Sequence, residues 1–215
     1  MRVSNRGRPR RVSGVILAGG ESRRLGQNKA LLRIGGQTLI ERVVGSIAPL
    51  SAEVIVVVAS PQQAAALPLP REVRVVSDLF PGYGSLGGIY TGLSVSRGPW
   101  SLLVACDMPF LNSRLLRRLM AMRRDVDAVI PCLEGQPEPL HAFYSKACLA
   151  PMERMLRAGQ LKIAPLFEAV RVRYVDEATI DRIDPDHRSF FNVNSPADVE
   201  EARGLLSETA TSSPI

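Results

Sequence analysis

The chain has 215 residues, of which 46% are hydrophobic and 22% charged, and a formal net charge of +6, which suits one sizeable α/β core and leaves little chain for a second. No apolar run approaches the roughly 20 residues needed to span a bilayer. Cys106, Cys132 and Cys148 are widely spaced with no Cys-x-x-Cys pair, which excludes a disulfide framework or a zinc ribbon and predicts a reduced, cytoplasmic setting.

Arg2, Arg6, Arg8, Arg10 and Arg11 supply five of the six net charges, so residues 1–12 are expected to be a basic, flexible arm and the body is left almost neutral. The arm lacks the apolar stretch of an export signal. Neither a membrane nor nucleic acid is an expected partner of the domain. Gly14-Val15-Ile16-Leu17 is apolar throughout, the pattern of a parallel strand buried on both faces. It ends in Ala18-Gly19-Gly20-Glu21-Ser22-Arg23-Arg24-Leu25-Gly26-Gln27-Asn28-Lys29. Glycines there let backbone N–H groups converge on an anion, and Arg23, Arg24 and Lys29 add positive charge, so the segment reads as a phosphate grip. It is not a Walker loop, because two residues separate Gly26 from Lys29 and Ala30 follows in place of Ser or Thr.

Gly35-Gly36 makes a turn, and Thr38 with Glu41 has the spacing of a capping box before a helix running to about Ala48. Val54 to Val58 and Val73 to Val76 are the next strands, joined by a short Pro- and Ala-containing crossover. Asp78 falls just past the third strand. Pro81, Gly82, Gly84, Gly87 and Gly88 predict a flexible turn into a helix over Ile89 to Val95, with a helix N-terminus facing a ligand. Gly82 to Gly87 fits G-x-G-x-x-G, but it follows the third strand, not the first, which argues against a dinucleotide fold. Trp100 to Ala105 is a fourth strand with Asp107 immediately beyond it.

Ser113 to Met122 reads as a helix, Ala128 to Pro131 and Pro139 to Tyr144 as strands, Ala147 to Arg157 as a helix, Leu166 to Val170 as a short helical turn, and Val172 to Val175 as a strand. Ser195-Pro196-Ala197-Asp198 places an N-cap, a first-turn Pro and an acid before a closing helix to about Leu206. Residues 207–215 are expected to be a flexible tail. Strands alternating with helices imply a mostly parallel sheet, in which ligands gather beyond the carboxyl ends of the strands. The Gly-rich loop, Asp78 and Asp107 are therefore expected to share one cleft. Cys106, at a buried strand end, reads as a small core residue instead of a nucleophile.

Four blocks in order carry a family resemblance: Leu17 to Leu32, Asp78-Leu79-Phe80-Pro81-Gly82, Ala105-Cys106-Asp107-Met108-Pro109, and Phe191-Asn192-Val193-Asn194-Ser195-Pro196. From about Val12 to about Leu206 the chain resembles nucleotidyltransferases, and among them the molybdenum-cofactor guanylyltransferases. The resemblance implies a single-domain Rossmann-like α/β fold over residues 13–206, with a mostly parallel sheet and helices on both faces. It implies transfer of GMP from Mg-GTP to molybdopterin-bound molybdenum, with pyrophosphate released. GTP and Mo-molybdopterin would be the substrates, and enzymes of cofactor biosynthesis or cofactor acceptors would be transient partners.

Residue by residue, the resemblance implies that Asp107 holds Mg2+, that Lys29 contacts phosphates, and that Leu17, Ala18, Gly19 and Gly20 meet the nucleotide through backbone. Asp78 would lie near the nucleoside, and Leu86 and Gly87 belong to a turn that touches it. Arg23 and Arg24 are candidate catalytic phosphate contacts, and Asn192 and Asn194 are candidates for lining the cleft near the metal or for turn chemistry. Two positions depart from the family pattern: Ala59-Ser60 replaces an Asn after the second strand, and Gly84-Ser85-Leu86-Gly87-Gly88 replaces Gly-Pro-Leu-Ala-Gly. Ala18-Gly19-Gly20 resembles the guanine-using branch. Cytidylyl transfer to the same cofactor, transfer to a sugar or polyol phosphate, and non-catalytic GTP binding with cofactor delivery stay open.

Overall fold

The computed structural model describes residues 12–19 and 28–211, the last three by backbone alone. The expected arm, apart from its final residue, lies outside the described residues. The elements in order are β1 (Val12–Leu17), β2 (Arg33–Ile34), β3 (Gln37–Thr38), α1 (Leu39–Ile47), β4 (Glu53–Val58), α2 (Pro61–Ala66), β5 (Arg74–Ser77), α3 (Gly84–Val95), β6 (Trp100–Ala105) and α4 (Ser113–Ala121). They continue with β7 (Ala128–Leu133), β8 (Gln136–Pro137), β9 (His141–Ser145), α5 (Leu149–Arg157), α6 (Ala164–Ala169), β10 (Val172–Val175), α7 (Glu177–Asp181) and α8 (Pro196–Thr211).

The main sheet runs β5-β4-β1-β6-β9-β7-β10, with β8 pairing on β7. Strand β1 is parallel to β4 and to β6, in a register that sets Leu17 beside Val57 and Ala105. Only β9 breaks the parallel run within that path, lying antiparallel between β6 and β7. Successive residues of β1 point to opposite faces, and both faces are covered. Ile16 packs with Ile40, Val43 and Ile47 of α1 and with Leu115 and Leu119 of α4. Val15 packs with Ile89 and Leu93 of α3 and with Met152 and Leu156 of α5. A strand covered twice has no solvent face to keep polar, which is why its sequence reads as one apolar run. Among the described residues no helix is long and apolar enough to cross a membrane.

Local chemistry sets several element ends. Gly35 and Gly36 both take positive φ, +58° and +81°, the backbone that a two-residue hairpin turn between β2 and β3 requires. Thr38 caps α1 reciprocally: its Oγ1 accepts from Glu41 N at 3.3 Å while Glu41 Oε2 accepts from Thr38 N at 2.8 Å. Helix α2 and helix α7 have no counterpart in the sequence reading, being only 6 and 5 residues long. Helix α8 continues to Thr211, so residues 207–211 of the expected tail are helical. Leu206, where that helix was expected to stop, instead packs on the Ile34, Leu39 and Val193 cluster.

Helix α3 begins at Gly84, five residues before the expected start at Ile89. Glycine is a poor helix former, but here packing decides, because at Gly88 and Gly92 the helix lies too close to the sheet for a side chain. A Cβ on Gly92 would stand 2.3 Å from Val15 Cγ1, and one on Gly88 would stand 3.3 Å from Leu17 Cδ2. Lys146 holds the other end of the helix, donating to the carbonyls of Leu93 and Ser96 as a cation suited to a helix C-terminus. The close approach puts the N-terminus of α3 at the carboxyl edge of the sheet.

Gly92→Ala is therefore expected to destabilise the protein by about 1–2 kcal/mol, since overpacking against a β-branched core residue outweighs the gain of about 1 kcal/mol in helix propensity. Gly45 of α1 is exposed with nothing within 4 Å of an added Cβ, and Gly45→Ala should stabilise by about 0.5–1 kcal/mol. Urea unfolding midpoints of the two variants, shifting in opposite directions, check the packing argument.

Candidate active site

A cavity of about 630 Å³ opens where β1, β4, β5 and β6 end together. Backbone bonds lace its floor: Ala18 N donates to Val57 O at 2.8 Å and Cys106 N to Leu17 O at 3.0 Å. Leu17, Ala18 and Gly19 line the cavity. Gly19 packs so closely on the chain after β4 that a Cβ would stand 3.0 Å from Ala59 N. Gly20, Arg23 and Arg24 lie outside the described residues.

Lys29 opens a short 3-10 helix whose N-cap, Asn28, accepts from Ala30 N at 3.1 Å. Its Nζ donates to Asp107 Oδ2 at 3.1 Å and to Asn194 Oδ1 at 2.5 Å. The three residues come from distant parts of the chain and each is fixed from behind. Asp107 accepts from Val193 N at 2.9 Å through its carbonyl, which locks the segment bearing Asn192 and Asn194 to the end of β6. Asp198 Oδ2 accepts from the backbone of Asn194 at 2.6 Å and of Ser195 at 2.8 Å. Those backbone donors hold the Asp198 carboxyl below its usual pKa. Asn192 lines the cavity and spends its Nδ2 on Phe190 O at 2.9 Å, which turns its amide oxygen to other partners.

Asp78 follows β5 and lines the opposite wall. Its Oδ1 accepts from Thr91 Oγ1 at 2.7 Å and from Phe80 N at 3.0 Å. Gly84, Ser85 and Gly88 of α3 also line the cavity. Leu86 and Gly87 do not: the Leu86 side chain is fully buried with Ile89 and Leu93, and Gly87 faces Phe80 and Asp78. Cys106 is on the wall, but burial first, and then the Asp107 charge, push its thiol up to about 12. It stays neutral and offers no nucleophile at neutral pH.

The structure thus brings Leu17, Ala18, Gly19, Lys29, Asp78 and Asp107 around one cavity and leaves Leu86 and Gly87 behind its wall. Thr91 and His141 had no sequence signal of their own. His141 on β9 is fully buried, its ring 4.4 Å from that of Phe190, with Nε2 3.5 Å from Ser189 Oγ and no partner for Nδ1 among the described residues. A separate group, Glu177, Asp181 and His187, brings three potential ligand atoms within 4.8 Å of one another beside α7.

Burial pulls the His141 imidazole down to about 4 from 6.5. As pH falls the unfolded chain takes up that proton first, so stability present above pH 6.5 is lost between about 6.5 and 4, by up to about 3 kcal/mol. His141→Phe should flatten the pH dependence of the urea midpoint in the upper part of this window, between about pH 5 and 6.5, where ordinary carboxylates contribute little.

Residues 14–172 match the model of the MobA-like NTP transferase domain. A protein from Pelotomaculum thermopropionicum called a probable molybdenum cofactor guanylyltransferase is 40% identical over 93% of this chain and 96% of its own length. The molybdenum cofactor guanylyltransferase of Desulfosudis oleivorans is 35% identical over 91% of this chain and 96% of its own. The crystal structure of molybdopterin-guanine dinucleotide biosynthesis protein A from Archaeoglobus fulgidus superposes with a TM-score of 0.81 at 31% identity, covering 92% of this chain and 100% of that one.

Proposed function

The chain belongs to the MobA-like NTP transferase family, and from that premise we propose that it transfers GMP from GTP to the terminal phosphate of molybdopterin carrying molybdenum. The products are the molybdopterin guanine dinucleotide cofactor and pyrophosphate. The observation that carries this reading is the meeting of Lys29 Nζ with Asp107 and Asn194 beside the cavity at the carboxyl edge of the sheet.

In the reaction an oxygen of the acceptor phosphate attacks the α-phosphorus of GTP. A new P–O bond forms as the bond to the α,β-bridging oxygen breaks, and pyrophosphate leaves. The acceptor is a phosphate monoester with a second pKa of about 6, largely dianionic at neutral pH, so no side chain has to remove a proton. The task of the chain is then to position charged groups and neutralise them. Lys29 donates to phosphate oxygens, as do Arg23 and Arg24 from the Gly-rich loop. Leu17, Ala18, Gly19 and Gly20 approach the nucleotide through backbone, and the positive end of α3 faces it at Gly84 and Ser85, which line the cavity, with Leu86 and Gly87 behind them. Asp78 accepts a hydrogen bond from the nucleoside.

Asp107, with the amide oxygens of Asn192 and Asn194, presents the hard oxygen donors that magnesium takes alongside nucleotide phosphates. These residues would hold Mg2+, which when bound supplies positive charge among the phosphate oxygens where the transition state concentrates negative charge. Molybdenum enters as part of the substrate.

Pyrophosphate release, measured with Mo-molybdopterin and GTP, CTP, ATP or UTP in turn, tests the proposal. Magnesium-dependent release with GTP alone is expected. Asp107→Asn should lower kcat/KM by about 100-fold or more, an effect of the size seen when a transition-state charge contact is removed. Release with CTP alone would reassign the base, and silence with all four nucleotides or near-normal turnover by the Asp107 variant would contradict the proposal.

A further inference from the structure

Thr91 sits two turns into α3, with no solvent exposure, on the far side of Asp78 from the cavity floor. A threonine in a helix ordinarily turns its hydroxyl back to the carbonyl three or four residues earlier. This one reaches out of its helix. Thr91 Oγ1 donates to Asp78 Oδ1 at 2.7 Å and accepts from Leu79 N at 3.0 Å, so both of its hydrogen-bonding capacities are used on the turn after β5. Phe80 N adds a second donor to the same carboxylate oxygen at 3.0 Å, and Asp78 N donates to Val58 O at 2.8 Å. The backbone and one oxygen of Asp78 are therefore pinned. The other oxygen, Oδ2, lies over Gly87, where an added Cβ would come within 3.3 Å of it.

We propose that Thr91 is a positioning residue for nucleotide selection: by holding Oδ1, it presents Oδ2 of Asp78 as a single oriented acceptor for a donor group of the nucleotide. The proposal rests on the assignment of the cavity to GTP. An ionised carboxylate accepts and does not donate, so the group it reads must be an N–H of the base or an O–H of the ribose. A freely turning carboxylate would meet several donor arrangements, whereas a pinned one discriminates, because a partner lacking the donor leaves the charge short of a hydrogen bond.

The test is equilibrium binding, which needs no acceptor, of GTP, inosine triphosphate, N1-methyl-GTP, 2′-deoxy-GTP and 3′-deoxy-GTP in the presence of magnesium. Wild type, Thr91→Val, Thr91→Ser and Asp78→Asn are compared, with Thr91→Ala in place of Val if that variant does not fold, and thermal melting follows each. Thr91→Val should weaken GTP binding about tenfold or more, consistent with a misplaced hydrogen bond to a charged group. Thr91→Ser, which keeps the hydroxyl, should stay within about threefold of wild type on the same grounds. The analogue lacking the group that Asp78 reads should bind wild type and Thr91→Val alike, which separates base from ribose. An equal loss for all five nucleotides, unchanged GTP affinity in Thr91→Val, or a Ser variant no better than Val would overturn the proposal. Failure of GTP to bind the wild type would overturn both assignments, while tight, Thr91-dependent binding without pyrophosphate release would sink the transfer reaction alone.

Discussion

The parallel pairing of β1 with both β4 and β6 determines where this molecule can do chemistry. Parallel strands deliver every following loop to one edge of the sheet, so the chain after Leu17, after Val58 and after Ala105 must emerge side by side. Everything else at the site is an elaboration of that constraint. The backbone bonds Ala18 to Val57 and Cys106 to Leu17 continue the ladder one residue past the strands. The glycines of α3 bring a helix N-terminus to the same edge. The segment before α8 is drawn in by Val193 bonding to the carbonyl of Asp107.

The Lys29–Asp107 pair is better understood as part of a binding surface than as a source of stability. The two side chains keep only 20% and 18% exposure, so the cost of desolvating both charges offsets much of their attraction and the pair is a weak source of folding energy. Under the proposed reaction its value lies in holding a cation and a carboxylate in place beside the cavity. The folding energy comes from the two faces of the sheet, where Ile16 and Val15 are both fully buried. Stability and chemistry are thus carried by different residues of the same strand and its loop, which is how an edge rich in polar side chains coexists with a core that is almost wholly apolar.

Much of this was legible in the sequence because the signals were local. Val54 to Val58 and Trp100 to Ala105 are continuous apolar runs, and such runs specify buried parallel strands. Thr38 with Glu41 announced a helix start, and Ser195 with Asp198 did the same for α8. Asp78 and Asp107 could be placed at one edge because each follows such a run. What escaped was determined by contacts between distant residues. The start of α3 was read as a loose turn because Gly84, Gly87 and Gly88 disfavour helix on their own, and the fit of Gly87 against Phe80 and of Gly88 against Leu17 is what reverses that preference. Leu86 is hidden by the same helix. Thr91 sits in an apolar helical stretch with nothing in its neighbours to reveal that Asp78 lies across from it. The burial of His141 depends on Phe190, far along the chain. Lys29 was expected to meet phosphate, while its contact with Asn194 joins positions 165 residues apart.

The position of the metal reaches the catalytic assignment most directly. Crystals grown with GTP and Mn2+ in place of magnesium allow the ion to be located by its anomalous scattering. The expected result is a peak coordinated by the Asp107 carboxylate, with the nucleotide phosphates beside Lys29. An ion bound instead at Glu177, Asp181 and His187, or GTP whose phosphates lie away from Lys29, would contradict the assignment of this edge of the sheet as the site of GMP transfer.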